Sequence, residues 1–323
     1  MRRPTQRETN PFPYSDTNKR YHTFDYYLRK RYGGKCAVIP LDAGFTCPNI
    51  DGTKGVGGCI YCSERGSGDF APSPDLPLLE QYLIQRAKIS EKWSCVGFIP
   101  YLQAHSNTYA PAPLLAPIYE LLGTLPGAVA VHIATRPDCL PPDVTRLLRA
   151  LSQKIDLTVE LGLQTVNDET AKRINRRHTF DEFRAGYDAL RSDVPRARIC
   201  VHLIDGLPGE TKSDMLASAE TVGRMGADEV KIHLLHVLAG TPLAERYARG
   251  EYTPMKMEEY VAAVAEQLTL LPPSCVVGRL TGDGAPDQLI APAWSRKKLA
   301  VIDAIDRLLY EKGWTQGSRL DNP

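Results

Sequence analysis

Residues 128–161 read AVAVHIATRPDCLPPDVTRLLRALSQKIDLTVEL, and this stretch is the clearest indication of the fold class. It begins and ends with short runs rich in Val, Ile and Leu, at residues 128–133 and 156–161, which are typical of strands covered by helices. Between them, residues 142–152 have helical periodicity and begin with prolines in the first turn. A strand, a helix and a second strand in this order predict one parallel β–α–β unit.

The same alternation continues along most of the chain. Further strands are predicted at residues 36–41, 96–101, 198–204 and 229–235. Further helices are predicted at residues 76–93, 113–122, 181–191, 212–225, 243–247 and 258–271. Six β/α units in a row predict an α/β fold, a partial (β/α)6 TIM-type barrel of parallel strands, with functional side chains in the loops that follow the strands.

The pattern changes at both ends of this barrel. Residues 1–29 are predicted to form a basic N-terminal extension, and residues 30–271 the core barrel. Residues 272–323 begin with two prolines and are too few for a second catalytic domain. We therefore expect a small C-terminal α/β extension that caps the barrel. Its elements are predicted at residues 275–280, a strand, and 294–310, a helix.

The composition is that of an ordinary globular protein. Of the 323 residues, 43% are hydrophobic and 24% are charged, which excludes a largely disordered chain. No apolar run reaches the ~18 residues that a membrane span needs. The N-terminus carries no apolar secretion signal, so we expect a cytoplasmic protein that contacts no membrane. Its eight cysteines are then expected to be reduced thiols.

Positive charge is concentrated at the N-terminus. The net charge of the chain is +1, which excludes binding to nucleic acid through overall charge alone. Residues 1–35, however, contain nine Lys and Arg residues against three acidic ones. Two interpretations of this segment remain open: a solvated extension, or an arm that contacts an anion or RNA.

Three cysteines are clustered in the loop after the first strand. Cys47, Cys59 and Cys62 have the spacing C-x11-C-x2-C, and four glycines between the first two allow the loop to turn around a metal. A structural zinc site needs four ligands, whereas three cysteines on a [4Fe-4S] cluster leave one iron open to a substrate. The alternatives are a zinc site that recruits Cys36 or a histidine, and three unrelated buried thiols.

Several motifs resemble one known family. The three cysteines, with an aromatic Tyr61 before the last, resemble those of radical S-adenosylmethionine (SAM) enzymes, although the usual spacing there is C-x3-C-x2-C. The longer first gap is similar to the branch that contains the catalytic subunit of Elongator. Residues 160–165, 173–179 and 202–210 resemble further segments of that branch, and residues 278–284, 289–298 and 313–317 resemble a bacterial subfamily of undefined substrate. Together these motifs cover about residues 20–317.

The resemblance implies a cofactor pair and a reaction. Cys47, Cys59 and Cys62 would ligate a [4Fe-4S] cluster, whose fourth iron binds the amino and carboxylate groups of SAM. A reducing donor of the flavodoxin or ferredoxin type would supply an electron. SAM would then be cleaved to a 5′-deoxyadenosyl radical that abstracts hydrogen from an undefined substrate. The cofactors carry this chemistry, and the protein supplies orientation and excludes water.

The resemblance also implies SAM contacts. Residues 103–108 replace the family's usual Gly-Gly-Glu type sequence, so Ser106 and Asn107 are the candidates for the SAM amino group. Gln164 would bind the ribose hydroxyls, Arg176 would pair with the SAM carboxylate, and Tyr61 would contact adenine through its backbone. The structural alternatives are a turn and helix N-cap at residues 106–108, a strand-end amide, and a surface cation. No catalytic residue is identified.

Several substrate classes remain open. The Elongator resemblance and the basic segments at residues 1–35 and 296–298 favour RNA, and tRNA first. A small-molecule or peptide substrate is the alternative among radical SAM reactions. The alternative outside enzymes is a zinc-stabilised nucleic-acid-binding protein. The chain has no room for an acetyltransferase domain, and it has no second Cys-x2-Cys pair for an additional cluster.

Overall fold

The computed structural model describes residues 12–320, apart from 13, 67, 283 and 286. Its strands are β1 Cys36–Leu41, β2 Gly97–Leu102, β3 Ala130–Thr135, β4 Asp156–Gln164, β5 Arg198–Asp205, β6 Glu229–Leu234, β7 Val237–Leu238, β8 Val276–Arg279 and β9 Leu289–Ala291. Its helices are α1 Phe24–Tyr32, α2 Leu78–Ser90, α3 Ala112–Leu122, α4 Pro142–Ser152, α5 Asp168–Arg173, α6 Phe180–Asp193, α7 Lys212–Arg224, α8 Pro242–Ala248, α9 Met257–Thr269 and α10 Lys298–Glu311, with a short 3-10 helix at Ala293–Arg296.

Seven strands form one parallel sheet in the order β1-β2-β3-β4-β5-β6-β8, curled into a half-barrel. The predicted partial TIM-type barrel is confirmed, and all six predicted strands are present. The sheet gains a seventh strand because β8, in the predicted C-terminal extension, pairs in parallel with β6 and aligns Val277 with Val230. That extension therefore completes the sheet edge as well as adding α10.

The helices cover the outer face of the sheet through amphipathic faces. In α4, for example, Val144, Leu148 and Leu151 are buried at helical spacing. These side chains belong to one large core cluster with residues of the strands. Among the residues that the structure describes, no helix is both long and apolar enough to cross a membrane.

Helix α1 is absent from the sequence-based prediction, which placed residues 1–29 in a basic extension. Thr23 caps its start by accepting from the Tyr26 N–H at 3.2 Å, and Gly33 ends it with a left-handed φ of 79°. The segment between them is rich in aromatic and basic residues and carries a weak helical pattern, with one fully buried side chain, Leu28. Contacts with the barrel, more than local propensity, stabilise this helix.

The contacts of α1 place it at the N-terminal ends of the strands. Arg31 donates to both carboxylate oxygens of Asp156, the first residue of β4, at 2.9 and 3.0 Å. The Arg198 guanidinium at the start of β5 lies 4.2 Å from the Tyr27 ring centroid. The basic residues described here thus lie at the end opposite the catalytic loops that the fold class predicts. Residues 1–11 and 13 of the predicted extension lie outside the described residues.

Helix α6 positions the loop that follows β3. A Cβ added at Gly186 would lie 2.3 Å from the carbonyl oxygen of Pro137, closer than packed atoms approach. This glycine therefore allows the helix to lie directly against the segment that carries Arg136 and Asp138.

We predict that Gly186→Ala destabilises the fold by about 1–3 kcal/mol, because the added methyl group must displace backbone. Alanine ordinarily stabilises a helix relative to glycine by about 1 kcal/mol. A loss of stability in Gly186→Ala would therefore indicate the steric contact with the backbone of Pro137. Thermal unfolding measures it. Arg184→Ala, on the exposed face of the same helix, is the matched control. Equal or higher stability of Gly186→Ala would contradict this packing.

Candidate active site

One cavity opens at the C-terminal ends of the strands and is lined by all three clustered cysteines. It continues into the half-barrel, where its inner end is lined by side chains from the middle of the strands. We call this inner set the cavity floor: Glu160, His202, Lys231, His233 and Arg279. The cavity thus joins the cysteine loop to a charged interior.

The cysteine loop is held by the turn at residues 174–177. Asn175 donates from its side chain to the carbonyl of Gly58 at 2.6 Å, and the Ile60 N–H donates to the carbonyl of Ile174 at 3.1 Å. Gly57 and Gly58 have φ values of 76° and 72°, which glycine adopts without strain. The loop that carries the cysteines is therefore positioned by hydrogen bonds between its backbone and a distant segment.

Two N–H donors approach the sulfur of Cys59. Asn49 Nδ2 lies 3.6 Å from the sulfur and Arg176 Nη1 lies 3.8 Å from it. Donors directed at a thiolate sulfur stabilise its negative charge, and they influence the potential of an iron–sulfur cluster bound through it.

The three loop cysteines fit a cluster by their chemistry. Three thiolates line one cavity, and three cysteine ligands on a [4Fe-4S] cluster leave one iron open to a further ligand. Their sulfurs do not all lie within 4.8 Å of one another; within the described part of the chain, the triad of potential ligand atoms that does so is Glu160, Cys200 and His202.

Arg176 points into the cavity, and its neighbour Arg177 is exposed. Arg176 Nη2 donates to the carbonyl of Gly162 at 2.5 Å, while its Nε is buried and has no partner among the described residues. Asn175 and Arg177 both have positive φ, 57° and 60°, so the chain turns sharply on either side of Arg176. The alternative that Arg176 is a surface cation is wrong, because α5 ends before this residue and the turn directs its side chain inward.

A buried arginine that the sequence analysis did not single out holds this turn. Arg136 donates to the carbonyl of Arg176 at 2.9 Å and to both carboxylate oxygens of Asp138 at 2.8 and 2.9 Å. Lys54 of the cysteine loop pairs with the same carboxylate at 2.8 Å. Although burial raises the pKa of Asp138, Arg136 and Lys54 outweigh it and hold that pKa well below its usual range. The anionic Asp138 therefore connects the cysteine loop to the Arg176 turn.

Gln164 ends β4 in an unusual conformation. Its φ is 73°, and the register with β5 shifts between Gly162 and Gln164. The side-chain Oε1 is buried in the cavity wall, with no hydrogen-bond partner among the residues described. A Cβ at Gly162 would lie 2.7 Å from Arg176 Nη2 and 2.9 Å from Gln164 Nε2, so glycine leaves room for both side chains.

The other predicted SAM contacts separate into two groups. Ser106 and Tyr61 line the cavity, and the Ser106 Oγ is buried without a described partner. Asn107 is not among the lining residues. Its side-chain amide donates to the carbonyls of Leu102, Ala104 and Ala134 at 2.9–3.1 Å, which assigns it to joining two strand ends. Ser106 is therefore the stronger of the two candidates.

The orphaned polar atoms fit the predicted ligand. Ser106 Oγ, Gln164 Oε1 and Arg176 Nε come from three separate segments, and each residue lines the same cavity. They offer two oxygens and a cationic donor, which suit the ammonium, hydroxyl and carboxylate groups of SAM. Buried polar atoms are rarely left unpaired, so this set indicates a polar ligand.

The floor is organised around Glu160, for which the sequence indicated no single role. Its carboxylate accepts from Lys231 Nζ at 2.6 and 2.7 Å and lies 2.6 Å from His132 Nδ1 and 2.7 Å from His202 Nε2. Burial raises the pKa of Glu160, but Lys231 and the two imidazoles outweigh it and hold that pKa well below its usual range. Glu160 is thus an anion inside the half-barrel, below the predicted SAM contacts.

Two family models match separate parts of this chain. Residues 52–222 match the Radical SAM superfamily, and residues 227–311 match the Radical_SAM C-terminal domain. The first match contains Cys59 and Cys62 and begins after Cys47. The second begins within the predicted core barrel, so the division at residue 272 stays a prediction.

Individual relatives cover different shares of the chain. Protein YtqA of Bacillus subtilis is 44% identical over 310 residues, which are 96% of each chain. The tRNA uridine(34) acetyltransferase of Methanocaldococcus infernus is 28% identical over 159 residues, 48% of this chain and 29% of that protein. The structure of the archaeal Methanocaldococcus infernus Elp3 covers 87% of this chain and 64% of its own, with a TM-score of 0.66 at 16% identity.

The superfamily match covers more than half of the chain and contains β4, β5 and two of the three clustered cysteines. The fold agrees with it, as the Elp3 structure has the same architecture. The chain belongs to the radical SAM superfamily and is an enzyme that uses a [4Fe-4S] cluster and SAM.

Proposed function

We propose that this enzyme modifies RNA, with tRNA as the first class to test. The observation that carries the proposal is the single cavity that runs from the cysteine loop to the polar floor. A cavity of this form admits a polar group, such as a nucleobase, beyond the cofactor. The similarity of about half of the chain to a tRNA uridine(34) acetyltransferase favours RNA as the source of that group.

The residues of the chain have separate roles in this proposal. Cys47, Cys59 and Cys62 hold the cluster, Arg176 and Ser106 bind the carboxylate and amino group of SAM, and Gln164 binds its ribose. When bound, the cluster and SAM supply a radical that abstracts hydrogen from the substrate. Arg136 positions the Arg176 turn. A flavodoxin- or ferredoxin-type donor supplies the electron.

An exposed cation beside the cysteine loop supports contact with RNA. Arg177 follows the inward-facing Arg176 and lies against the cysteine loop, where a Cβ on Gly55 would be 3.0 Å from its Cγ. Its Nε donates to Asn175 Oδ1 at 2.6 Å, and it makes no ion pair with a described residue. Such a guanidinium is suited to a backbone phosphate. The described part of the N-terminal segment lies at the far end of the barrel and is not assigned this role.

One prediction of this proposal concerns the cluster. Cys59→Ala should abolish iron loading, because two remaining thiolates do not hold a [4Fe-4S] cluster. Iron and sulfide analysis of protein reconstituted under nitrogen measures this. Cys95→Ala is the control, since Cys95 does not line the cavity. One tightly bound zinc and no iron in the wild-type protein would overturn the ligand assignment.

A further prediction of this proposal separates the roles of the neighbouring residues Arg176 and Arg177. Arg176→Ala should weaken SAM binding by about 2–5 kcal/mol, because it removes a desolvated charge-assisted contact, and should leave RNA affinity unchanged. Arg176→Lys should restore only part of the SAM affinity, because an ammonium lacks the guanidinium fork. Equilibrium SAM binding to the reconstituted protein is the measurement.

Arg177→Ala should have the opposite profile. SAM binding should stay at the wild-type level, while affinity for total tRNA falls. The slope of log affinity against log salt concentration should decrease by about one, as expected for the loss of one phosphate contact. Unchanged tRNA binding in this variant would remove Arg177 from the interface. Weaker SAM binding in Arg177→Ala alone would mean that the two side chains have exchanged roles.

The substrate class is tested in a strain that lacks the gene. Nucleosides from its total RNA should lack one modification or accumulate its precursor, measured by mass spectrometry. The wild-type chain should restore the profile, and Cys59→Ala should not. An RNA profile identical to that of the parent strain would contradict RNA as the substrate and favour a small molecule or peptide.

A further inference from the structure

Among the residues that the structure describes, two carboxylates line the cavity of the clustered cysteines, those of Asp69 and Glu160. Glu160 is engaged in the floor, where Lys231 and two imidazoles contact its oxygens. Asp69 makes no ion pair with a described residue, and the hydrogen bonds to its carboxylate from the described part of the chain come from Ser63. Asp69 is therefore the lining carboxylate that can receive a further donor.

The carboxylate of Asp69 is oriented but not saturated. The Ser63 hydroxyl lies 2.9 and 3.1 Å from its two oxygens and has one proton to donate. A carboxylate has about four acceptor sites, so most of the capacity of Asp69 remains. Ser63 directly follows Cys62, so this bond ties the carboxylate to the cysteine end of the cavity and not to its floor.

The loop that carries Asp69 packs against the segment that carries Ser106. The N–H one residue before Ser106 donates to the carbonyl of Gly66 at 2.9 Å. A Cβ added at Gly68 would lie 2.7 Å from the Cβ of Ala104, so glycine allows the two segments to approach closely. Asp69 and Ser106 therefore lie on adjoining segments of the same cavity wall.

The amino group of SAM has more donors than the assigned contacts accept. Whether it is protonated or bound to a metal through its lone pair, it keeps at least two N–H bonds. The acceptor assigned to it is the Ser106 hydroxyl, one neutral oxygen. Residues 103–108, which include that serine, contain no acidic side chain. A second acceptor is therefore expected from another segment, and an anionic one also attracts the sulfonium charge of SAM.

We propose that Asp69 receives the amino group of SAM together with Ser106, and that Ser63 positions its carboxylate. The Asp69 contact is charge-assisted, which makes it stronger than the neutral contact with Ser106. The inference rests on the proposed function, because it extends the SAM contacts assigned there to Arg176 and Ser106. The loop that follows Cys62 thereby contributes to the binding of both the cluster and SAM.

Competition with radiolabelled SAM for the reconstituted protein under nitrogen measures this contact. The probes are S-adenosylhomocysteine, which keeps the amino group and lacks the sulfonium charge, and its analogue without the amino group. Asp69→Asn should weaken binding of S-adenosylhomocysteine about tenfold, because a charge-assisted hydrogen bond becomes neutral, and should leave the affinity for the deamino analogue unchanged. Glu64→Gln is the matched control. It removes an equal charge from an exposed position in the same loop, outside the cavity lining, and should bind both probes like wild type.

Three results would overturn the proposal. Equal losses for both probes in Asp69→Asn would mean that the residue acts on the fold or on the adenosine. No loss for either probe would remove Asp69 from the site. A loss for SAM with none for S-adenosylhomocysteine would assign the carboxylate to the sulfonium and not to the amino group.

A second variant decides if Asp69→Asn loads no cluster, which iron analysis measures. Ser63→Ala removes the hydrogen bond that orients the carboxylate and keeps its charge. It should weaken S-adenosylhomocysteine about threefold, as expected for one neutral hydrogen bond, and leave the deamino analogue unaffected. Wild-type affinity for both probes, or equal losses for both, would again overturn the assignment.

This inference and the proposed function fail separately. Weaker SAM binding in Arg176→Ala, together with wild-type binding of the probes in Asp69→Asn, keeps the SAM site in place and removes Asp69 from it. The RNA profile of the deletion strain involves neither variant. An unchanged RNA profile would therefore remove RNA as the substrate and leave the Asp69 contact in place.

Discussion

The contact between the buried Arg136 guanidinium and the carboxylate of Asp138 connects the separate parts of the active site. From this pair, Arg136 reaches the carbonyl of Arg176, and Asp138 accepts from Lys54 on the cysteine loop. Breaking a buried pair by removing one partner leaves an uncompensated charge, which costs about 3–5 kcal/mol. Three loops from different β/α units thus share one electrostatic centre, and the packing of α6 against Pro137 holds that centre in place.

The interior of this half-barrel differs from an apolar core. Glu160 balances one lysine and contacts two imidazoles in a region where burial penalises every charge. Such a network is retained at the cost of stability that apolar packing would provide. Its position at the inner end of a cavity with access to the cysteine loop gives a functional reason for that cost. A packed aliphatic layer in the same place would leave no polar surface for a substrate.

Much of the fold was predictable because local patterns and tertiary structure agree. The strand at residues 36–41 and the helix at 142–152 have the predicted boundaries, since Val/Ile/Leu runs and prolines mark them locally. Helix α1 was missed because its stability comes from Asp156 and Arg198, more than a hundred residues away. For the site, the cysteine motif and Arg176 were accessible from the sequence. The role of Arg136 could not be read from the sequence, because it depends on a carbonyl forty residues further along the chain. The structural role of Asn107 could not be read from the sequence either.

The position of α1 has a consequence for the order in which the protein forms. This helix is synthesised long before its partners, which lie on β4, on β5 and on β8; in β8 the Val277 N–H donates to the carbonyl of His22, just before the helix, at 2.8 Å. Long-range contacts of this kind form late, because the intervening chain must first be ordered. An aromatic, basic segment therefore remains without its native partners until nearly the whole barrel has left the ribosome, and chaperones have the most time to bind there.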